Sequence, residues 1–199
     1  LSDWSSDVCS SDLHSTDEDM QLLVRSGSSV VHCPGANIKA AKGLARAPDM
    51  RKLGIPVSLG TDGPASGNTL DMFTQMKLYA ILHKNAANDR TAIPARTVIP
   101  LCTSQAAGVL HAEHRIGSLE VGKKADVLVL GLDAPNMVPA CDPYSLIIYS
   151  CGVQNVRHLM INGDWVVRDH RLTKVDIKEL RRSFLSLAQP FFEAALTRS

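Results

Sequence analysis

Asp62 closes a short apolar run, Val57-Ser58-Leu59, and stands inside a stretch of small residues reaching from Gly60 to Asn68. That change reads as a buried strand followed by a loop. The carboxylate then sits at a strand's carboxyl end, where barrel enzymes place catalytic groups. A carboxylate there can ligate a divalent cation and take a proton from a water molecule activated by the metal. Asp-Gly in a turn also commonly bonds its own backbone, and both readings stay open. His32 ends the preceding short strand, Ser29 to Cys33, just as Asp62 ends its own. If the two strands are neighbours, both side chains can reach one cavity. A neutral imidazole there can bind metal, hold a water or donate to a substrate, or it can be a satisfied structural group. Ser66 and Asn68 could line the same cavity, although glycine-flanked turns favour such residues anyway.

His83, His111, His114, His158 and His170 fall on helices, connections or hairpins without metal-ligand spacing, and are read as surface or structural groups. The chain has no H-x-H, H-E-x-x-H, G-x-S-x-G or glycine-rich phosphate loop. A catalytic zinc takes three protein ligands, and Asp62 is the one that can be nominated. A self-sufficient metal site therefore cannot be written from these residues.

The elements that must position these groups follow from periodicity and punctuation. Thr16-Asp17-Glu18-Asp19 caps a short helix that Gly27 ends. A strand over 29–33 stops at Pro34-Gly35, and a lysine-rich connection follows. A helix around Pro48 to Leu53 ends at Gly54, and the strand Val57 to Leu59 comes next. This rhythm predicts a parallel α/β unit. Leu70 to Lys84 is a strongly apolar helix, and Pro94 to Leu110 reads as another. Character changes near Ile116. Short strands are expected at Ala125 to Leu130, Ile147 to Cys151, Val156 to Ile161 and Trp165 to Arg168, with a hairpin turn at Asn162-Gly163. Val175 to Leu196 is an amphipathic helix that Pro190 kinks. No solenoid-period repeat and no low-complexity linker is present.

The 199 residues carry 21 Lys and Arg against 20 Asp and Glu, a net charge of +1 that gives no reason to expect nucleic acid or an anionic membrane as partner. No run is long and apolar enough to span a bilayer. Cysteines 9, 33, 102, 141 and 151 are odd in number and form no C-x-x-C pair, which argues against a disulfide framework and suits a reducing cytoplasm, the expected location. Residues 1–13 contain Ser-Ser-Asp twice, resemble a sequencing-library adapter translated in one frame, and are read as non-native and left out of the fold.

Four blocks carry a family resemblance. Val31-His32-Cys33-Pro34-Gly35-Ala36-Asn37-Ile38-Lys39, then Leu59 through Asn68, then Leu70-Asp71-Met72-Phe73 resemble the amidohydrolase superfamily, in the branch of methylthioadenosine/S-adenosylhomocysteine deaminases and triazine hydrolases. Ile116 to Val127 is similar to that superfamily's C-terminal signature. The resemblance implies an α/β fold: the C-terminal part of a (β/α)8 TIM-type barrel plus part of a small composite β-sandwich. Residues 14–115 would be the partial barrel, 116–173 the sandwich portion and 174–199 a C-terminal helix. It implies a metal, zinc commonly and Fe2+ or Mn2+ as alternatives, with Asp62 as one ligand and as acceptor of the attacking water's proton. His32 would position water or substrate, and Ser66 would lie near the substrate. Two departures stand out: Ala36 replaces a serine, and Gly43-Leu44-Ala45-Arg46-Ala47-Pro48 replaces Gly-Ile-Ala-Pro-Val. A catalytic histidine expected about three residues before His14 falls in the foreign-looking stretch, and the H-x-H strand is absent.

The expected parent is a metal-dependent hydrolase of C–N bonds, deaminating a purine-type or related heterocycle, often as a homo-oligomer, with this chain inactive alone. The rival readings are a non-catalytic remnant or binding module, and a cyclic-amide hydrolase of the same superfamily.

Overall fold

Thr16 opens helix α1 (Asp17–Ser26) with a closed reciprocal cap. Its hydroxyl accepts the Asp19 amide at 3.1 Å, and the Asp19 carboxylate accepts the Thr16 amide at 2.8 Å. Gly27, at φ 69°, takes the left-handed conformation that ends the helix. The computed structural model describes residues 8–9 and 14–196. Three strands, β1 (Val8–Cys9), β2 (Ser29–His32) and β3 (Val57–Leu59), form a parallel sheet in that order. β1 pairs Val8 with Ser29 and Cys9 with Val30. That pairing corrects the exclusion of residues 1–13 from the fold; the rest of that segment, including the position expected for a catalytic histidine, lies outside the described residues. β2 and β3 are direct neighbours, with His32 opposite Leu59.

Helices α2 (Pro34–Lys39), α3 (Ala47–Lys52), α4 (Pro64–Gly67) and α5 (Met72–Ala87) follow the strands. α2 stands where a lysine-rich connection was expected: Pro34, already fixed in φ and lacking an amide hydrogen, starts it at no cost. Asp71 caps α5, accepting the Phe73 amide at 2.9 Å. The single helix expected over 94–110 is instead two 3-10 turns, Ala95–Thr97 and Ile99–Cys102, and then α6 (Ser104–Val109). Pro100 breaks the i to i−4 ladder and restricts the residue before it.

Ile147–Cys151 is a further correction. Ile147 to Ser150 lie in the π-type turn Leu146–Ser150, which continues α7 (Pro143–Ser145), and Cys151 caps it; no strand forms. Asp142 caps this segment by accepting the Ser145 amide at 2.9 Å, and Pro143 occupies its first position. A five-residue apolar run does not by itself separate strand from buried helix.

β4 (Val127–Leu130), β5 (Val156–Ile161), β6 (Asp164–Arg168) and β7 (Arg171–Leu172) make an antiparallel sheet in that order. Asn162 and Gly163, both at positive φ, form the tight turn between β5 and β6. The last described element is α8 (Ile177–Leu196), which contains Pro190. The shared core sets Tyr79 and Met76 of α5 against Val57 and Leu59 of β3, with Met50, Leu101, Met137 and Ile148 closing around them. Among the described residues no helix is long and apolar enough to cross a membrane.

Candidate functional site

Side chains alternate between the two faces of a strand, and that period sorts the candidate residues. Val57 and Leu59 of β3 enter the core beneath α5. Gly60 faces the other way: a Cβ added there would lie 2.8 Å from Val31 Cγ1 and 3.1 Å from Cys33 Sγ. Val31, Cys33 and Gly60 therefore share one face, and Val30, His32, Val57 and Leu59 the opposite one. The Gly60 amide still donates to the His32 carbonyl at 2.9 Å, so the two strands stay paired to their carboxyl ends.

Beyond Gly60 the chain turns sharply. Asp62 is held at φ 56°, a left-handed conformation uncommon for a residue with a side chain and more accessible to aspartate than to most. Its Oδ1 accepts the Gly63 amide at 2.6 Å, and the Thr61 hydroxyl donates to its carbonyl at 2.9 Å. The turn aspartate bonding its own backbone is thus present, and the carboxylate is still exposed. Gly63 starts α4, which carries Ser66. Lys39 at the end of α2 reaches across and donates to the Ala65 carbonyl at 3.3 Å. Asn37, Lys39, Lys42, Asp62, Ala65 and Ser66 line one cleft of about 260 Å3. A larger depression of about 660 Å3, near Arg51, Ile55 and Pro94, lies at the opposite, amino-terminal end of β3 and holds none of the candidate groups.

Asp62 and Ser66 are brought together; His32 is not brought to them. It is 2% exposed and packs against α5, its ring centroid 5.6 Å from that of His83 and 6.0 Å from that of Tyr79. Burial, with His83 beside it, holds the His32 imidazole down at about 4. Burial does the same to His83, also to about 4, against the opposing pull of Asp49. Both rings are neutral at pH 7. Among the described residues, neither His32 nitrogen has a hydrogen-bond partner, nor do His83 Nε2, the Tyr79 hydroxyl and Gln75 Nε2. Arg51 beside Tyr79 opposes the upward push of burial on that phenol without forming a well-made hydrogen bond. Cys33, on the cleft's face of the sheet, has its thiol pushed up by burial, with the Asp62 backbone opposing and the Asp62 carboxylate adding to the rise.

Sequence reasoning did not single out Lys39 or Lys42, which supply the positive charge of the cleft. It also treated His83 with the surface or structural histidines, although Gln75, Tyr79 and His83 make a buried stripe at i, i+4 and i+8. That spacing was the available signal. Among the described residues no three His, Cys, Asp or Glu side chains come together as a metal site. Asp62, an exposed hard oxygen donor at a strand end, fits as one ligand of a set completed elsewhere.

The amidohydrolase family matches residues 8–166. The chain belongs to that family. A 5-methylthioadenosine/S-adenosylhomocysteine deaminase of Syntrophobacter fumaroxidans is 42% identical over 164 residues, which is 82% of this chain and 37% of the relative. Its counterpart in Haloarcula marismortui is 37% identical over 183 residues, 92% of this chain and 42% of the relative. A zinc-bound adenosine deaminase of Xanthomonas campestris superposes with a TM-score of 0.85 at 33% identity, covering 96% of this chain and 42% of the other. Atrazine chlorohydrolase TrzN of Arthrobacter aurescens, complexed with zinc, gives 0.82 at 23% identity, covering 90% of this chain and 40% of the other, and shows the shared fold. The chain therefore spans about two fifths of the length of these proteins.

Proposed function

We propose that this chain carries the C-terminal part of a (β/α)8-barrel hydrolase that deaminates a purine-type heterocycle, with 116–173 as part of its composite sandwich. The observation behind this reading is Asp62: a carboxylate held at positive φ beyond the end of a parallel strand, sharing one cleft with Ser66. The relatives' names as deaminases support the substrate class.

Asp62 would hold a divalent metal through one carboxylate oxygen, with zinc supported by the neighbouring structures and further ligands coming from outside the described residues. When bound, the metal supplies Lewis acidity that makes water a nucleophile near neutral pH. The chain's own part is proton handling and orientation. The Gly63 amide fixes Asp62 Oδ1, so Oδ2 takes the proton of the attacking water and returns it to the departing amine. Ser66 lies within the cleft to hydrogen-bond the ring's substituents. Lys39, anchored on the Ala65 carbonyl, keeps the Ser66 turn beside Asp62. His32, on the other face of the sheet, supports the strand from the α5 side instead of meeting substrate.

The test is a chimera in which residues 14–199 replace the matching part of the Syntrophobacter fumaroxidans deaminase. Ammonia release from 5′-methylthioadenosine or S-adenosylhomocysteine is expected, with D62N lowering turnover by roughly 10^2- to 10^4-fold. A folded chimera that binds zinc but turns over neither compound would favour the non-catalytic reading. A chimera active only on a cyclic amide would favour the hydantoinase-like one.

A further inference from the structure

Cys33 stands at the N-cap position of α2 but makes no side-chain cap, and Pro34 at the first position brings no amide hydrogen. The first amide that this helix must satisfy is therefore that of Gly35. It donates to Gln75 Oε1 at 2.9 Å, a side chain of α5 forty positions away in the sequence. Gln75 is 0% exposed. Further protein around the molecule can only deepen such burial. The contact is also tight. A Cβ added at Gly35 would fall 2.8 Å from Gln75 Nε2 and 2.9 Å from Oε1, so glycine is what lets the side-chain amide lie against this backbone. Gln75 Nε2 has no hydrogen-bond partner among the described residues, which leaves the Gly35 amide as the polar contact that fixes this side chain. A buried acceptor and an orphan helix amide thus satisfy each other, and each is costly to leave unmade.

We propose that Gln75 is a positioning residue for the cleft: by holding the Gly35 amide it sets where α2 begins, and α2 carries the wall beside Asp62. Asn37 and Lys39 of α2 line the cleft. Lys39 reaches the Ala65 carbonyl at 3.3 Å, and the Ala36 amide lies 4.0 Å from where a Gly67 Cβ would stand. Gln75 therefore acts from α5 through α2 on α4 and Ser66, without touching substrate. Asp62 is held separately, by the Gly63 amide of its own turn. Substrate binding, and not proton transfer, is the property that Gln75 governs. The bracing itself stands on geometry, while its catalytic consequence rests on the hydrolase reading.

Hydrogen exchange at the Gly35 amide, followed by NMR on the whole chain, tests the bracing. Q75M keeps the volume and removes the acceptor. It should speed that exchange about tenfold, the worth of one buried hydrogen bond, while the amides of β2 and α5 keep their protection. Q75E keeps an acceptor at the same reach, favoured by the positive end of α2, and should restore the slow exchange. G35A reaches the same contact without opening the core. Its methyl must push the Gln75 amide aside, so exchange at position 35 should rise although alanine is the better helix former. In the deaminase chimera, Q75M should raise KM about tenfold while kcat stays within about threefold. Unchanged exchange in Q75M or G35A overturns the bracing, and so does a failure of Q75E to restore it. An active chimera whose KM is indifferent to Q75M overturns the link to the cleft. A chimera silent with Gln75 in place sinks the hydrolase reading instead, and exchange then decides the bracing alone.

Discussion

His32 and His83 are the residues whose chemistry departs furthest from their exposed counterparts. Both are buried in contact with each other, and both hold their protons only below about 4, against an ordinary value of 6.5. Between those values the unfolded chain binds protons that the folded chain refuses. The neutral pair's stability is therefore fully present above pH 6.5 and is lost as pH falls from 6.5 towards 4. The loss is on the order of 3 kcal/mol for each ring. Urea midpoints measured between pH 7.5 and 4 should fall steeply, and H83L should flatten that slope. At the same scale, Asp62 and Ser66 were legible because the strand-to-loop change and the Asp-Gly pair are local signals. His32 was misplaced for an equally simple reason. A strand as short as β2 does not declare which of its alternating faces meets the helices, and a shift of one residue exchanges them. The direction in which a Gly60 side chain would point, towards Val31 and Cys33, is visible only in three dimensions and sets His32 on the other face.

Helix caps, glycine stops and the Asn162-Gly163 hairpin were readable because each depends on one or two residues. The 94–110 and 147–151 segments were not, since their apolar content suits several local geometries and tertiary packing chose among them. Gly117 shows how tightly that packing is set where the βα half passes into the β-rich half. It adopts φ 92°, and a Cβ there would fall 2.5 Å from Ala107 Cβ and 3.0 Å from the Thr103 carbonyl. G117A thus meets both a backbone penalty and a collision with α6. A loss of roughly 2 kcal/mol or more is expected from thermal or denaturant unfolding, against a smaller loss for G122A, which bears the backbone penalty of positive φ but whose added Cβ meets nothing.

The whole molecule is a parallel βα unit joined through one core to an antiparallel sheet, and it matches only 37–42% of the length of its curated relatives. Its one nominated metal ligand sets a clear expectation for the chain as it stands. After dialysis it should hold well under one zinc per chain by atomic absorption, and it should release no ammonia from adenine nucleosides. Stoichiometric zinc with turnover would contradict that expectation. The order of the two halves was legible from the shift in character near Ile116. The pairing of Val8 and Cys9 with β2 was not, because two residues carry no periodicity.

At Gly67 a methyl group would stand 3.0 Å from the Thr61 carbonyl and 4.0 Å from the Ala36 amide, so the walls carrying Asp62, Ser66 and α2 converge where only hydrogen fits. The close approach of α4 to the Asp62 turn is thus set by main chain. A methyl at position 67 would have to push the Thr61 carbonyl back by a few tenths of an ångström, and with it the turn that carries Asp62.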